Sequence, residues 1–88
     1  MNTTHPITYL DVQYRLVGGV WRNAAIRQFE LADLRNSINN GWCTLDDAAR
    51  SLHVILSRYS RRPVAAVRVT GYVNDADRSV GLYDVSKP

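Results

Sequence analysis

Cysteine is all but missing. Cys43 stands alone, so no disulfide can form within the chain and a disulfide-stapled fold is excluded. An unpaired thiol fits a reducing cytoplasm, which is the expected compartment. Histidine is limited to His5 and His53. One Cys and two His, far apart in sequence, give no zinc spacing, so neither a metal nor a cofactor is expected. Long apolar runs are absent too, and none approaches the roughly 20 residues that cross a bilayer. Residues 1–6 carry no basic segment followed by an apolar stretch, so no signal peptide is expected. Lysine is reduced to Lys87, beside ten arginines. What is present is ordinary: 88 residues, 45% hydrophobic, with a net charge of +3. That composition excludes a disordered chain. It fits one domain over residues 1–88, with 1–6 and 86–88 as tails. A domain of this size buries about 60–65% of its unfolded surface, so one modest core is expected and a large concave pocket is not.

Residues 7–17 alternate. Leu10, Val12, Tyr14 and Leu16 share one face, and Asp11, Gln13 and Arg15 the other, as in a half-buried strand. Ile7 and Tyr9 are out of phase, which predicts a bulge or a late start. Gly18-Gly19 suits a hairpin, and a second strand is expected over residues 20–28. A three-residue loop pairs Tyr14 with Ala24 and Val12 with Ile26. A two-residue loop sets Val12 against Ala25 and Leu16 against Trp21. The first keeps small and apolar residues together and is preferred. Leu31, Leu34 and Ile38 then change the period to that of a short helix, which Gly41 stops. Thr44 opens a second helix, with Asp47 three residues on in a capping-box-like start. Asp46 and Asp47 suit the positive end of its dipole. Leu45, Ala48, Ala49, Leu52, Ile55, Leu56 and Tyr59 form one stripe over four turns, and Pro63 follows its end. Residues 65–73 read as a third strand and 74–77 as a turn. A fourth strand over 79–85 is weakened by Gly81 and Asp84.

The order β-β-α-α-β(-β) predicts an α+β two-layer sandwich, an antiparallel sheet of three to four strands with two helices on one face. The expected core is Val12, Tyr14, Leu16, Ile26, Leu34, Ile38, Leu45, Ala49, Leu52, Ile55, Leu56, Tyr59, Val67 and Val69. The outer sheet face is expected to show Arg15, Arg27, Arg68, Tyr72 and Trp21. Strand one or the last strand is expected at a sheet edge.

Catalytic patterns are missing: there is no Gly-x-Ser-x-Gly and no phosphate-binding glycine loop. Cys43 reads as a half-buried residue of the helix–helix turn, and His53 as a histidine at the boundary of the apolar stripe. The pairs Asp46-Asp47 and Asp75/Asp77 read as a helix start and a turn. The expectation is therefore a protein that is not an enzyme. Two helices joined by residues 41–44 suggest a helix-turn-helix, but an acidic pair opening the second helix would repel phosphates. Arg50, Arg58 and Arg61 occupy the solvent face of the second helix, Arg62 follows, and Arg68 is expected nearby if strand three runs back beneath it. This patch is either a solvated helix face, with Asp46 and Asp47 paired to Arg50, or a partner site. Val54 lies among these arginines as an interface centre would. The candidate partner-binding set is Arg50, Val54, Arg58, Arg61, Arg62 and Arg68. Trp42 and Tyr59 read as core residues that could otherwise add stacking. Tyr9, Tyr72 and Trp21 form a second candidate surface, because single-strand binders stack bases on open-sheet aromatics. A homodimer through a sheet edge is a further option.

A very short, cytoplasmic, single-domain chain rich in Arg and Ala, without a catalytic set, resembles in type the accessory proteins of phages and mobile elements, such as anti-CRISPR proteins and other host-takeover inhibitors. The resemblance is one of size and architecture and transfers no functional residue. It implies a small binding or inhibitor module that blocks a larger host protein or ribonucleoprotein complex by protein–protein contacts. Many such inhibitors are acidic and mimic nucleic acid, whereas this chain is basic. The alternative is a nucleic-acid-binding module that uses the arginines at the end of the second helix.

Overall fold

The structure, a computed structural model, describes residues 6–73 and 77–86. The expected turn over 74–77 lies mostly outside them, as do His5, Lys87 and most of both tails. The elements are β1 (Tyr9–Leu16), β2 (Trp21–Asn23), α1 (Gln28–Asn39), α2 (Leu45–Tyr59), β3 (Val64–Val73) and β4 (Asp77–Asp84). The strands form one antiparallel sheet in the order β2-β1-β3-β4. Both helices lie on one face, so the α+β sandwich expected from the sequence is the fold. β1 does not lie at an edge: it is interior beside β3, and β2 and β4 are the edges.

Alternation in β1 places Leu10, Val12 and Tyr14 opposite Gly71, Val69 and Val67 of β3. Val67 and Val69 are fully buried, and Leu10, Val12, Val64, Ala48 and Ala49 complete the core. Burying each valine contributes about 1.5–3 kcal/mol. The two alanines let α2 approach the sheet closely. Gly81 of β4 brings it closer still: a methyl group there would overlap the carbonyl of Leu45 and lie 2.6 Å from Asp46 N. The residue that weakens β4 on propensity is therefore the one on which the first turn of α2 rests. Asp46 Oδ1 also accepts the Leu82 amide at 2.9 Å, fixing helix to strand.

The hairpin departs from both registers considered. Arg15 pairs with Trp21, Tyr14 with Arg22 and Gln13 with Asn23, and Gly18 turns the chain at φ 75. β2 is three residues long rather than nine, because the chain leaves the sheet to reach the start of α1. This register puts Trp21 on the outer face with Arg15. It leaves Ala24 beside Val12, whose carbonyl accepts the Ala24 amide at 3.0 Å. β1 starts late, at Tyr9, and its irregularity lies at Arg15/Leu16, at the opposite end from the one expected.

The capping box of α2 is present: Asp47 N donates to Thr44 Oγ1 at 3.0 Å and Thr44 N to Asp47 Oδ2 at 3.2 Å. α1 buries no residue completely. Side chains at its second half tie it to the segment before β1. Ile7 N donates to Asn39 Oδ1 at 2.8 Å, Asn39 Nδ2 to Ile7 O at 3.0 Å, and Arg35 to Thr8 O at 3.3 Å. Gly41, at φ 76, then turns the chain toward α2.

Candidate functional site

α1 and α2 are joined by the five residues 40–44, a length typical of antiparallel helix pairs. They do not close on one another. Between them runs an open groove of about 1010 Å³, against the expectation that so small a chain holds no large concavity. Its floor is Tyr14, Ile26, Leu34, Ala48, Leu52 and Leu56. The α2 wall carries Ile55 and Tyr59, and the α1 wall Glu30 and Asp33. Ile55 is 46% exposed and Tyr59 84%, so these two expected core residues are corrected to groove-wall residues. Tyr59 shares the phase of Leu52 but is the last residue of α2; for Ile55 the cause is lateral. The sheet covers the centre of the α2 stripe, Leu45, Ala49, Leu52 and Leu56, and α1 stands too far off to cover its flank. Trp42, 77% exposed at the helix–helix turn, is likewise not a core residue.

Helical spacing puts Val54 and Arg58 four residues apart on the outward crest of α2. Val54 is 49% exposed, and on α1 Phe29 is 60% exposed. Arg50, Arg58, Arg61 and Arg62 are all exposed. The Arg50 guanidinium lies 5.9 Å from the Tyr83 ring centroid, at the outer limit of a cation–π contact. Its charge also helps to hold the Asp47 carboxyl low. Among the described residues, no carboxylate lies within ion-pair distance of Arg58, Arg61 or Arg62. Four of the expected arginines and Val54 thus belong to one helix and its end.

Arg68 does not join them. It lies on the opposite face of the sheet, because β3 turns Val67 and Val69 toward the helices and Arg68 away. There its Nε donates to Gln13 Oε1 at 3.1 Å, Nη2 reaches the same oxygen, and its guanidinium lies 4.2 Å from the Trp21 ring centroid. Arg15 approaches Trp21 at 5.8 Å and Asp84 at 3.8 Å. Gln13 in turn donates to Asn23 at 3.2 Å. Tyr9 and Tyr72 pair at 5.7 Å on the same face, four residues along the strands from the Gln13–Arg68 pair, or about 13 Å. Arg15, Arg68, Tyr72 and Trp21 are on this outer face as expected. Arg27 is not: it is the N-cap of α1 and lines one end of the groove.

His53, Cys43 and Asp47 are the other candidates for chemistry. His53 bonds Val64 O through Nε2 at 2.8 Å and packs its ring 4.8 Å from that of Tyr83. Burial, and after it the charge of Asp47, push the Cys43 thiol above its ordinary pKa, which leaves little reactive thiolate at neutral pH. The amide and then the hydroxyl of Thr44 hold Asp47 below the usual carboxylate range. Among the described residues no three His, Cys, Asp or Glu gather as a metal site would require, and no helix is long and apolar enough to cross a membrane.

The groove was hidden in the sequence. Ile55 and Tyr59 extend the same stripe as Leu52 and Leu56, so spacing alone places all four in the core. The signal that could have found it was the polar character of Glu30, Asp33 and Ser37 on α1. A helix packed tightly on α2 would turn apolar residues toward it.

Comparison with protein families, curated proteins and solved structures finds no match to this chain.

Proposed function

We propose that this chain is a non-catalytic binding module that works by protein–protein contact through its helix layer, as a small inhibitor of a larger protein or ribonucleoprotein complex would. The groove between α1 and α2 carries this reading. Its floor is apolar, its α2 wall is Ile55 and Tyr59 with Ser51, and its α1 wall carries Glu30 and Asp33, with Arg27 at one end. An apolar protein segment gains by filling such a groove, at about 25 cal/mol for each Å² removed from water. A nucleic-acid backbone gains nothing from the apolar floor, and Glu30 and Asp33, against the single cation Arg27, would repel its phosphates. Beside the groove stand Val54, Arg58, Arg61 and Arg62. Arginine and aromatic residues around an apolar centre are the usual composition of interface hot spots.

A second reading rests on one observation, the three exposed arginines at the end of α2 with no carboxylate at ion-pair distance among the described residues. Nucleic acid would meet them through phosphates. Three neutralised phosphates would give a salt slope of about 2–3 log units per decade. Arg68, on the far side of the sheet, would not contribute.

Affinity capture with three immobilised forms separates the readings: wild type, Ile55→Glu, and the triple variant Arg58→Glu/Arg61→Glu/Arg62→Glu. The groove reading expects a protein retained by wild type, resistant to nuclease, and lost with Ile55→Glu. Retention that survives Ile55→Glu but disappears with nuclease or with the triple variant would replace it with the nucleic-acid reading.

A further inference from the structure

We propose that a second copy of this chain covers the groove, packed helix layer to helix layer about a two-fold axis that runs along the groove. The inference rests on the reading of the helix layer as a protein-docking surface and assigns it to self-association, so that a larger partner would reach the groove by displacing the second copy.

The first argument is charge. The α1 side carries Glu30 and Asp33, which have no ion-pair partner among the described residues. The α2 side ends in Arg58, Arg61 and Arg62, which have none either. α1 ends at Asn39, bonded to Ile7 just before the start of β1, whereas α2 ends just before Val64, which pairs with Leu16 at the far end of β1; the helices therefore run in opposite senses, and the start of α1 lies toward the end of α2. A two-fold axis along the groove lays the α1 of one copy over the α2 of the other without reversing that end. Glu30 and Asp33 of each copy then face Arg58, Arg61 and Arg62 of its mate. The contact is made twice and closes on itself, as an isologous interface must.

The second argument is apolar surface. Phe29 on α1 and Val54, Ile55 and Tyr59 on α2 are all exposed. The same axis sets Phe29 of one copy toward the Val54–Ile55–Tyr59 side of the other. α1 buries nothing completely within its own chain, and a domain of 88 residues has little core to spare. The result is a four-layer sandwich, sheet–helices–helices–sheet, with the Arg68–Trp21 faces outward.

Sedimentation velocity and light scattering from about 1 to about 200 μM test this, a range that brackets a dimer with Kd near 10 μM. The mass is expected to rise from 10.0 kDa toward twice that value, and Ile55→Glu to remain monomeric with an unchanged circular dichroism spectrum. The decisive measurement mixes two variants. Chains with Glu30→Arg/Asp33→Arg repel themselves, and so do chains with Arg58→Glu/Arg61→Glu. Mixed, they place opposite charges at both contacts. Each alone should dimerise at least tenfold more weakly than wild type, and the mixture should form a one-to-one heterodimer. A monomer at every concentration would overturn the inference while leaving the groove open to another protein, which the capture experiment decides. A dimer indifferent to Ile55→Glu and to the charge changes would overturn it in favour of pairing through the β4 edge or the sheet face.

Discussion

Adding one methyl group at Gly81 tests the packing on which the fold turns. The Cβ of an alanine there would fall inside the carbonyl of Leu45 and 2.6 Å from Asp46 N. Ordinary contact needs about 3.5–4.0 Å, so the first turn of α2 must retreat by more than 1 Å. No side-chain rotation relieves the overlap, because every atom met is backbone. The retreat also pulls Asp46 away from the Leu82 amide and lifts Ala48 and Ala49 from the core valines. Overpacking of this kind costs about 1–3 kcal/mol, and the lost hydrogen bond about 0.5–1.5 kcal/mol more. Replacing glycine within a strand returns about 0.5–1 kcal/mol of chain entropy. The net for Gly81→Ala is about 2 kcal/mol, or about 8–16 °C in Tm for a domain of this size. Gly71→Ala is the control. Its Cβ would lie 2.7 Å from Ile7 Cδ1, the mobile tip of a side chain near the start of β1. It should cost under about 1 kcal/mol, because that tip can rotate away. Urea unfolding followed by circular dichroism measures both. If Gly81→Ala were as stable as wild type, or less harmful than Gly71→Ala, the seating of α2 on β4 would be wrong.

The other predictions concern stability and reactivity. Val69→Ala should cost about 2 kcal/mol, while Leu52→Ala, half-buried on the groove floor, should fall at or below the bottom of the 2–5 kcal/mol range of buried leucines; the same urea titrations measure both. Arg58→Glu with Arg61→Glu should leave stability within about 0.5 kcal/mol of wild type by thermal melting. The depressed folded-state pKa of Asp47 means that its contribution is complete above the unfolded value, near 3.9, and is lost as pH falls through the folded value. Between about pH 5 and pH 2.5, wild type should therefore lose more stability than Asp47→Asn in parallel melts. Cys43 should alkylate more slowly than free cysteine at pH 7.5, by mass spectrometry of iodoacetamide adducts, because its thiol is held above the ordinary pKa.

Local signals are legible where they act within one element. The alternation of Leu10, Val12 and Tyr14 placed β1 on the right face, and Thr44 with Asp47 located the start of α2. What the sequence could not show depends on spacing between elements. The stripe from Leu45 to Tyr59 looks the same whether α1 closes over its flank or stands away from it, so spacing alone places Ile55 in the core. Arg68 is not beside the α2 arginines, because spacing alone leaves the strand's phase relative to the helix open. That phase is set by which face Val67 and Val69 must fill. The hairpin register failed for a related reason. Pairing small and apolar residues ignores Trp21, whose ring settles on Arg68 across the neighbouring strand. For the contact surface, Val54, Arg58, Arg61 and Arg62 were legible as one exposed stretch, while the groove beside them needed coordinates.

The adjacency of β1 and β3 governs when the chain can fold as it is made. Gln13 meets Arg68 across 55 residues of sequence. At about 5–20 residues per second, the ribosome delivers the second partner about 3–11 s after the first. During that interval β1 has only the three-residue β2 beside it in the sheet, and its Leu10–Val12 face lacks Val69, with which the two helix alanines share the core. Folding therefore waits for β3. A pause in translation between α2 and β3 would prolong the aggregation-prone state, whereas a pause after β3 would find both central strands already delivered.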